Sequence, residues 1–295
     1  MAYASFAAYK AAADQDFAGD LAATALAQEA IDSGVEVAAV CAHLQATLTT
    51  MREAIAQGAD PELRSHSGLT GGDAAKLLAT ADSVTGSHSL FTRAIGSAVA
   101  VVEVNAAMGR IVAAPTAGAS GVIPGTLIPL ADAHGISEDR LVDALAVAGA
   151  IGAVYAAVAT LAGAAGGCQA EVGTGASMAA GALTYMLEGN AEQVGHAASI
   201  AMQGQLGLVC DPVGGLVEIP CIMRNLTGTA VALAAAEAAL AGVKFPLSLD
   251  DVVMATKRVG DSLPPSLRET ARGGLAVTPG AQRLMGTTYR KKGTF

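Results

Sequence analysis

Between Arg140 and Arg224 the sequence contains no lysine or arginine, and residues 144–167 within that interval form an uncharged run of small and apolar side chains (ALAVAGAIGAVYAAVATLAGAAGG). A segment without cations has to be buried in a protein core, embedded in a membrane, or wrapped around a site that receives its positive charge from elsewhere. The run therefore limits the chain to folds that contain a central buried helix or a membrane span.

Length does not separate these two folds, because the run is long enough to cross a bilayer and carries small-xxx-small spacings. Alanine and glycine are only weakly hydrophobic, however, and no aromatic belt brackets the run. Carboxylates interrupt the later apolar stretches, at Glu171, Glu188, Glu192 and Glu237. We therefore predict a buried central helix, with a transmembrane helix as the alternative. No signal peptide is recognisable, so we expect a cytoplasmic protein without a membrane partner.

Helical periodicity recurs along the whole chain and period-2 alternation is rare, so the sequence predicts an all-α fold. A chain of 295 residues can bury the core of one large domain or of two intimately packed ones, and we expect a single large helical domain, residues 1–295, with a core of about 15–280 and a mobile tail over 281–295. Irregular Gly- and Pro-containing loops are expected between the helices. The predicted helices span about 17–32, 36–57, 70–83, 89–109, 122–133, 138–164, 173–188, 190–206, 222–241 and 248–260.

Irregular segments interrupt this helical pattern at Ala113–Gly125 (AAPTAGASGVIPG), at Ala165–Gly175 (AGGCQAEVGTG) and at residues 209–221 (VCDPVGGLVEIPC). In the third of these segments two cysteines bracket two prolines, a double glycine and two carboxylates. Buried loops have to satisfy their backbone polar groups, and a bound ligand is one way to do so. Tight turns between packed helices are the alternative.

The four cysteines do not suggest a disulfide framework in an intracellular chain of this length. Cys41 lies in a helical pattern and is predicted to be a small buried hydrophobe. Cys168, Cys210 and Cys221 each sit beside glycine or proline, without the CxxC or Cys/His spacing of a structural zinc site. Three cysteines would leave one iron of a cubane cluster open to a substrate. Three inert buried thiols remain the alternative.

The formal net charge of −9 argues against a nucleic-acid partner, because neutralising phosphates requires clustered lysine and arginine. The acidic balance leaves enzymes of small-molecule metabolism open. It equally leaves open a non-enzymatic helical or membrane component whose cysteines are inert.

Four ordered stretches resemble a known family: EVNAAMGRIVAAPTAGASGVIPG (103–125), GCQAEVG (167–173), CDPVGGLVEIPCIMRN (210–225) and RETARGGLAVTP (268–279). The sequence is similar to the alpha chain of the iron–sulfur-dependent L-serine dehydratases, which act without pyridoxal phosphate. The resemblance implies an all-α catalytic domain whose Cys168, Cys210 and Cys221 hold a [4Fe–4S] cluster. It also implies conversion of L-serine to pyruvate and ammonia, with the open iron acting as a Lewis acid. L-Threonine and L-cysteine remain alternative substrates.

The resemblance also implies a partner. Single-chain members of the family carry an amino-terminal domain whose histidines are implicated in acid/base chemistry, and nothing like it is present here. We therefore expect a two-subunit enzyme with a separate beta chain, as a homodimer or hetero-oligomer. Some single-chain relatives end in a cysteine that caps the open iron, whereas this sequence ends in Phe295, so self-capping is not expected.

Two charged residues beside the cysteines are candidates for the cofactor site. Glu171 lies three residues after Cys168 and is predicted to orient a cluster ligand. Arg224 follows Cys221 closely and is predicted to neutralise the charge of the cluster.

Four further residues are candidates for catalysis. Thr116 and Ser120 lie in the glycine-containing loop 113–125, whose amides can form an anion-binding concavity. A helix cap is an equal alternative for Thr116. Asn105 lies on the predicted helix that leads into this loop. His88 is a candidate base within this chain, with a helix-capping loop residue as the favoured alternative.

Overall fold

The computed structural model describes the backbone of residues 3–83 and 87–292 and the side chains of residues 3–83 and 89–286. Within these ranges the structure contains helices, turns and one isolated bridge between Cys210 and Arg268, and no strand, which confirms the predicted all-α class. The described helices are α1 (Phe6–Asp16), α2 (Leu21–Ser33), α3 (Val37–Gly58), α4 (Asp73–Ser83), α5 (Ser87–Ala106), α6 (Val122–His134), α7 (Glu138–Val158), α8 (Gly163–Gly166), α9 (Val172–Met186), α10 (Ala191–Gln203), α11 (Cys221–Leu240), α12 (Leu249–Ser262) and α13 (Pro279–Lys292).

Helix α1 lies before the first helix predicted from the sequence, which was expected to begin near residue 17. Ser5 caps it by accepting the Ala8 N–H, and Phe6 and Tyr9 are buried. The Tyr9 hydroxyl donates a hydrogen bond to the Leu21 carbonyl at the start of α2. Alanine-rich α1 has a weak apolar periodicity, so its helical character is visible only through these tertiary contacts.

Two further boundaries differ from the sequence prediction. The helix predicted over 138–164 ends at Val158, and a bend separates it from the short α8. At this bend the Thr160 hydroxyl accepts the Ala162 N–H at 3.2 Å, which turns the chain. Residues 281–292 belong to helix α13, which was not among the helices predicted from the sequence. The early end of α7 was not predicted because a sequence rich in alanine and glycine carries a weak signal for where a helix stops.

Helix α9 forms the centre of the fold, and all its residues are buried. Helices α6, α7, α10 and α11 pack around it. Of the described helices, α7 is long and apolar enough to cross a membrane, but 61 % of its apolar window is buried inside the protein. It packs against α9, α2 and α3, so in this structure it is a core helix.

Close approach between α5 and α6 depends on glycine at position 125. A β-carbon built there would lie 2.6 Å from Ala98 Cβ and 2.8 Å from the Ala98 backbone. Gly125→Ala is therefore expected to lower the free energy of unfolding by about 2 kcal/mol, because overpacking a rigid crossing forces the helices apart. Gly149→Ala is the matched control, because Gly149 is exposed on α7 and its β-carbon would meet nothing within 4 Å.

Urea denaturation of the two variants checks this expectation. Gly149→Ala should leave stability unchanged or raise it by about 0.5–1 kcal/mol, since alanine reduces the entropy of the unfolded chain. Equal destabilisation of both variants would show that the crossing is not tightly packed.

Candidate functional site

Three irregular segments meet where α9 and α11 begin, and each of their cysteines is buried. Cys168, Cys210 and Cys221 are 3 %, 4 % and 8 % exposed, and all are free thiols. They lie close enough for a charge on Cys168 to raise the pKa of both other thiols. We call these three residues the thiol site. Cys41, by contrast, is half-buried on α3, at the periphery of the core.

The segment that carries Cys168 is fixed by its neighbour Gln169, which is fully buried. The Gln169 amide group donates to the Thr256 carbonyl on α12 at 2.9 Å and accepts the Gly207 N–H at 2.8 Å. Its backbone N–H donates to the Leu208 carbonyl at 2.9 Å. These contacts hold Cys168 against the stretch that leads to Cys210.

The segment between the other two cysteines is held by a buried ion pair. Arg224 on α11 lies 2.7 Å from Asp211, with side-chain exposures of 13 % and 3 %. The Arg224 guanidinium also donates to the Val209 carbonyl at 2.7 Å, and Asp211 accepts the Leu275 N–H at 2.6 Å. Arg224 therefore links both sides of Cys210, as well as lying beside the thiol site. Asp211 itself was not singled out from the sequence.

Glu171 connects the thiol site to the loop 113–125. Its Oε1 accepts the Thr116 hydroxyl at 2.8 Å, and the Cys210 thiol lies 3.8 Å from its Oε2. Thr116 precedes the 3-10 turn Ala117–Ala119 without capping it, so its hydroxyl serves Glu171. A β-carbon at Gly118 would lie 3.3 Å from Glu171 Oε1, so glycine keeps this approach open.

Ser120 and Asn105 both point at the same turn and not at the thiols. The Ser120 hydroxyl is fully buried and donates to the Ala117 carbonyl at 2.9 Å. The Asn105 amide lies 3.5 Å from the same carbonyl. In this structure they shape the loop that carries Thr116, and neither side chain forms a hydrogen bond with a described cysteine.

Asn225 ties the loop to α11. It is fully buried, its Oδ1 accepts the Gly121 N–H at 3.0 Å, and its Nδ2 donates to the Gly118 and Cys221 carbonyls at 2.7 and 2.9 Å. One side chain therefore satisfies backbone groups on both sides of the thiol site.

Glu218 binds the loop before α4, a segment that the sequence analysis did not connect with the site. Buried at 5 % exposure, it accepts the hydroxyls of Ser67 and Thr70 at 2.8 and 2.9 Å. This fastens the loop before α4 to the stretch between Cys210 and Cys221. Asp211 and Glu218 are the two carboxylates of that stretch, and their position between cysteines was the available signal.

His88 lies in the first turn of α5, and its side chain falls outside the described part of the structure.

Burial raises the pKa of all three thiols, to about 11 for Cys168 and about 12 for Cys221. At Cys210 burial is again the main cause, reinforced by the negative charge of Glu171. Burial also raises the pKa of Glu171, against the hydrogen bond from Thr116. A cationic group would lower these pKa values again, because a thiol that binds a metal loses its proton and becomes a thiolate.

Among the described residues, no three His, Cys, Asp or Glu side chains are arranged to hold a single metal ion. A four-iron cluster places different demands on the protein, since each thiolate binds a different iron. Three buried free thiols are the donor set that such a cluster uses, and a β-carbon at Gly163 would intrude to 3.2 Å from Cys210 Sγ. The residues present therefore fit a cluster better than a single ion.

Comparison with known proteins identifies the family. The family model described as serine dehydratase alpha chain matches residues 15–276. The chain belongs to this family.

The chain is 46 % identical over 240 residues to the probable L-serine dehydratase alpha chain of Bacillus subtilis, covering 80 % of this chain and 79 % of the relative. It is 46 % identical over 192 residues to the L-serine dehydratase alpha chain of Peptoniphilus asaccharolyticus, covering 65 % and 66 %. The match to L-serine dehydratase 1 of Escherichia coli, 46 % identical over 182 residues, covers 61 % of this chain but 40 % of that longer protein. The family expected from the sequence is thus confirmed.

Membership of the serine dehydratase alpha chain family favours an enzyme over an inert helical scaffold. All four stretches quoted for the resemblance contribute to the thiol site or to segments in direct contact with it. Residues distant in sequence are therefore gathered by the fold into one site.

Proposed function

We propose that this protein is the catalytic chain of an L-serine dehydratase, an L-serine ammonia-lyase that converts L-serine to pyruvate and ammonia without pyridoxal phosphate. Cys168, Cys210 and Cys221 would hold a [4Fe–4S] cluster. The observation that carries the proposal is the burial of these three free thiols on irregular segments that meet in an otherwise helical core. The names of the relatives support the same activity.

When bound, the cluster supplies a Lewis-acidic iron that makes the substrate hydroxyl a better leaving group. The remaining work falls to the protein. Arg224 places a positive charge beside thiolates that are buried and would otherwise repel one another. Glu171, positioned by the Thr116 hydroxyl, orients Cys210. Loss of the Cα proton and of hydroxide gives aminoacrylate, which tautomerises and hydrolyses to pyruvate and ammonia.

A separate beta chain is proposed to supply the base that removes the Cα proton, in a cytoplasmic hetero-oligomer. Exposed apolar side chains flank the segments of the site and support a partner surface there. Met108 is 79 % exposed, Met223 44 % and Leu275 45 %. Exposed methionine and leucine are costly to leave in water and are typical of contact surfaces.

The partner proposal predicts that serine deamination by the anaerobically purified, iron-loaded chain rises at least about 100-fold when a separately expressed beta chain is added, the contribution expected of a general base. Pyruvate formation measures the result, and the beta chain alone is the control. Full turnover by the isolated chain would place the base within it and contradict the partner's role.

Running the same assay with L-threonine and L-cysteine tests the substrate. One methyl group changes binding by only about 1–3 kcal/mol, so a preference between serine and threonine of about 10- to 100-fold is expected. If kcat/KM is higher for L-threonine or for L-cysteine than for L-serine, that amino acid is the substrate and the assignment of L-serine is wrong.

A further inference from the structure

An exposed strap, residues 268–278 (RETARGGLAVT), lies directly against the thiol site. The Cys210 N–H donates to the Leu267 carbonyl at 2.9 Å, and the Glu269 N–H donates to the Cys210 carbonyl at 2.7 Å. These two bonds form the isolated bridge of the fold and fix the backbone of Glu269 beside Cys210. The strap is held at its other end by the bond from Leu275 N–H to Asp211.

The strap contains two residues in a backbone conformation that L-amino acids rarely adopt. Glu269 has φ 62° and Ala271 has φ 54°, both left-handed. Glycine would take this conformation without steric cost, yet a glutamate occupies the position next to the bridge. Strained residues persist where the surroundings fix them, and they concentrate at functional sites. The strain at Glu269 therefore suggests a functional role for its side chain.

The Glu269 carboxylate is exposed, and among the described residues no side chain donates a hydrogen bond to it or forms an ion pair with it. The adjacent Arg268 does not neutralise it, because its guanidinium donates to the carbonyls of Leu263 and Ala165. Glu269 nevertheless lies close enough to the site for its charge to act on both Glu171 and Cys210. An unneutralised carboxylate therefore lies close to the thiol site.

An α-amino acid brings a hydroxyl, a carboxylate and an ammonium group into a site. The ammonium group is a cation with three donors, and a carboxylate is its strongest partner. Glu171 is not free for this role, since Oε1 accepts from Thr116 and Oε2 faces the Cys210 thiol. Glu269 is the carboxylate beside the site that has no partner among the described residues.

We propose that the Glu269 carboxylate binds the α-ammonium group of the amino-acid substrate, an inference that rests on the function proposed above. The strained strap then has a role, because it fixes the backbone of Glu269 beside Cys210 and so keeps one carboxylate near the site. Substrates that lack the ammonium group lose this contact and no other.

The test uses Glu269→Gln in the iron-loaded complex with the beta chain. The KM for L-serine is expected to rise about 10- to 100-fold, the loss of one charge-assisted hydrogen bond, with kcat changed less than about threefold. Two inert competitors separate the ammonium contact from general damage. Binding of α-methyl-L-serine, which has no Cα proton to lose, should weaken as much as the KM rises, whereas binding of 3-hydroxypropionate, which lacks the amino group, should not change.

Calorimetric titration of both competitors gives a readout independent of turnover, and iron content is measured alongside. Glu188→Gln is the matched control. Glu188 is also exposed and left-handed, with φ 66°, but it follows the far end of the 15-residue α9, about 22 Å along the helix from the site. The Glu188→Gln variant should bind α-methyl-L-serine and 3-hydroxypropionate as tightly as the wild-type complex does.

Parallel weakening of both competitors in Glu269→Gln, or no weakening of either, would overturn the ammonium assignment. The wild-type complex reports separately on the proposed function. Absence of serine turnover there refutes the dehydratase activity, while calorimetry still decides whether Glu269 distinguishes the two competitors. A wild-type complex that binds neither competitor also overturns the assignment.

Discussion

Replacing any one of Cys168, Cys210 and Cys221 with serine is expected to remove bound iron and to lower serine deamination by at least about 1000-fold, because a metal Lewis acid contributes several kcal/mol to transition-state stabilisation. Each thiol is buried, and Cys41 lies on α3 at the periphery of the core, so no other cysteine can take the place of a missing one. Serine is close in volume to cysteine, so the fold should be retained.

Iron and acid-labile sulfide per chain, together with the visible absorption of anaerobically purified protein, measure the loss. Cys41→Ser is the control, because Cys41 is half-buried on α3 and away from the thiol site. It should retain iron, colour and activity. Equal loss of iron in Cys41→Ser, or full iron content in the other three variants, would refute the ligand assignment.

Asn225→Ala is expected to lower the free energy of unfolding by about 3–5 kcal/mol, since it leaves the buried Gly121 N–H and the Gly118 carbonyl without partners at about 1–3 kcal/mol each. The total stability of a folded domain is about 5–15 kcal/mol, so this is a large fraction of it. Asn225 is fully buried and spans the loop and α11, so no water can replace its amide group.

Asn190→Ala provides a matched control. Asn190 is exposed and caps α10, accepting the Gln193 N–H at 3.0 Å, and loss of such a cap costs about 1 kcal/mol. Urea denaturation of the cluster-free chain compares the two variants directly. If Asn225→Ala costs no more than Asn190→Ala, the loop is not fastened in the way that these hydrogen bonds indicate. Asn225→Ala should also bind less iron, because the loop and Cys221 would lose their common anchor.

Much of the fold could be predicted from local patterns. The helices predicted to begin at 138 and 248 are α7 and α12, and in the structure the side chains of Ser137 and Ser248 each accept an N–H of the first turn. The absence of cations between Arg140 and Arg224 correctly indicated buried helices. The end of α7 and the helix α1 could not be predicted, because alanine-rich sequence continues a helix or ends it at nearly equal cost until a neighbour packs against it.

The candidate site shows the same division. Cysteines beside glycine and proline marked the segments 165–175 and 209–221, and the resemblance assigned a role to their thiols. Sequence could not indicate that the Thr116 hydroxyl serves Glu171, since the alternative of a helix cap was equally consistent with the pattern. Nor could it connect Glu218 to Ser67 and Thr70, which lie far away in the chain.

Sequence by itself determined the helical class, the family and which cysteines lie on irregular segments. These features follow from side-chain chemistry and from patterns within a few residues of one another. Only the tertiary structure decided which polar groups meet: Arg224 with Asp211, Asn225 with the loop 113–125, and Glu269 beside Cys210. Such contacts depend on the packing of whole helices, and burial decides which polar groups need a partner inside the protein.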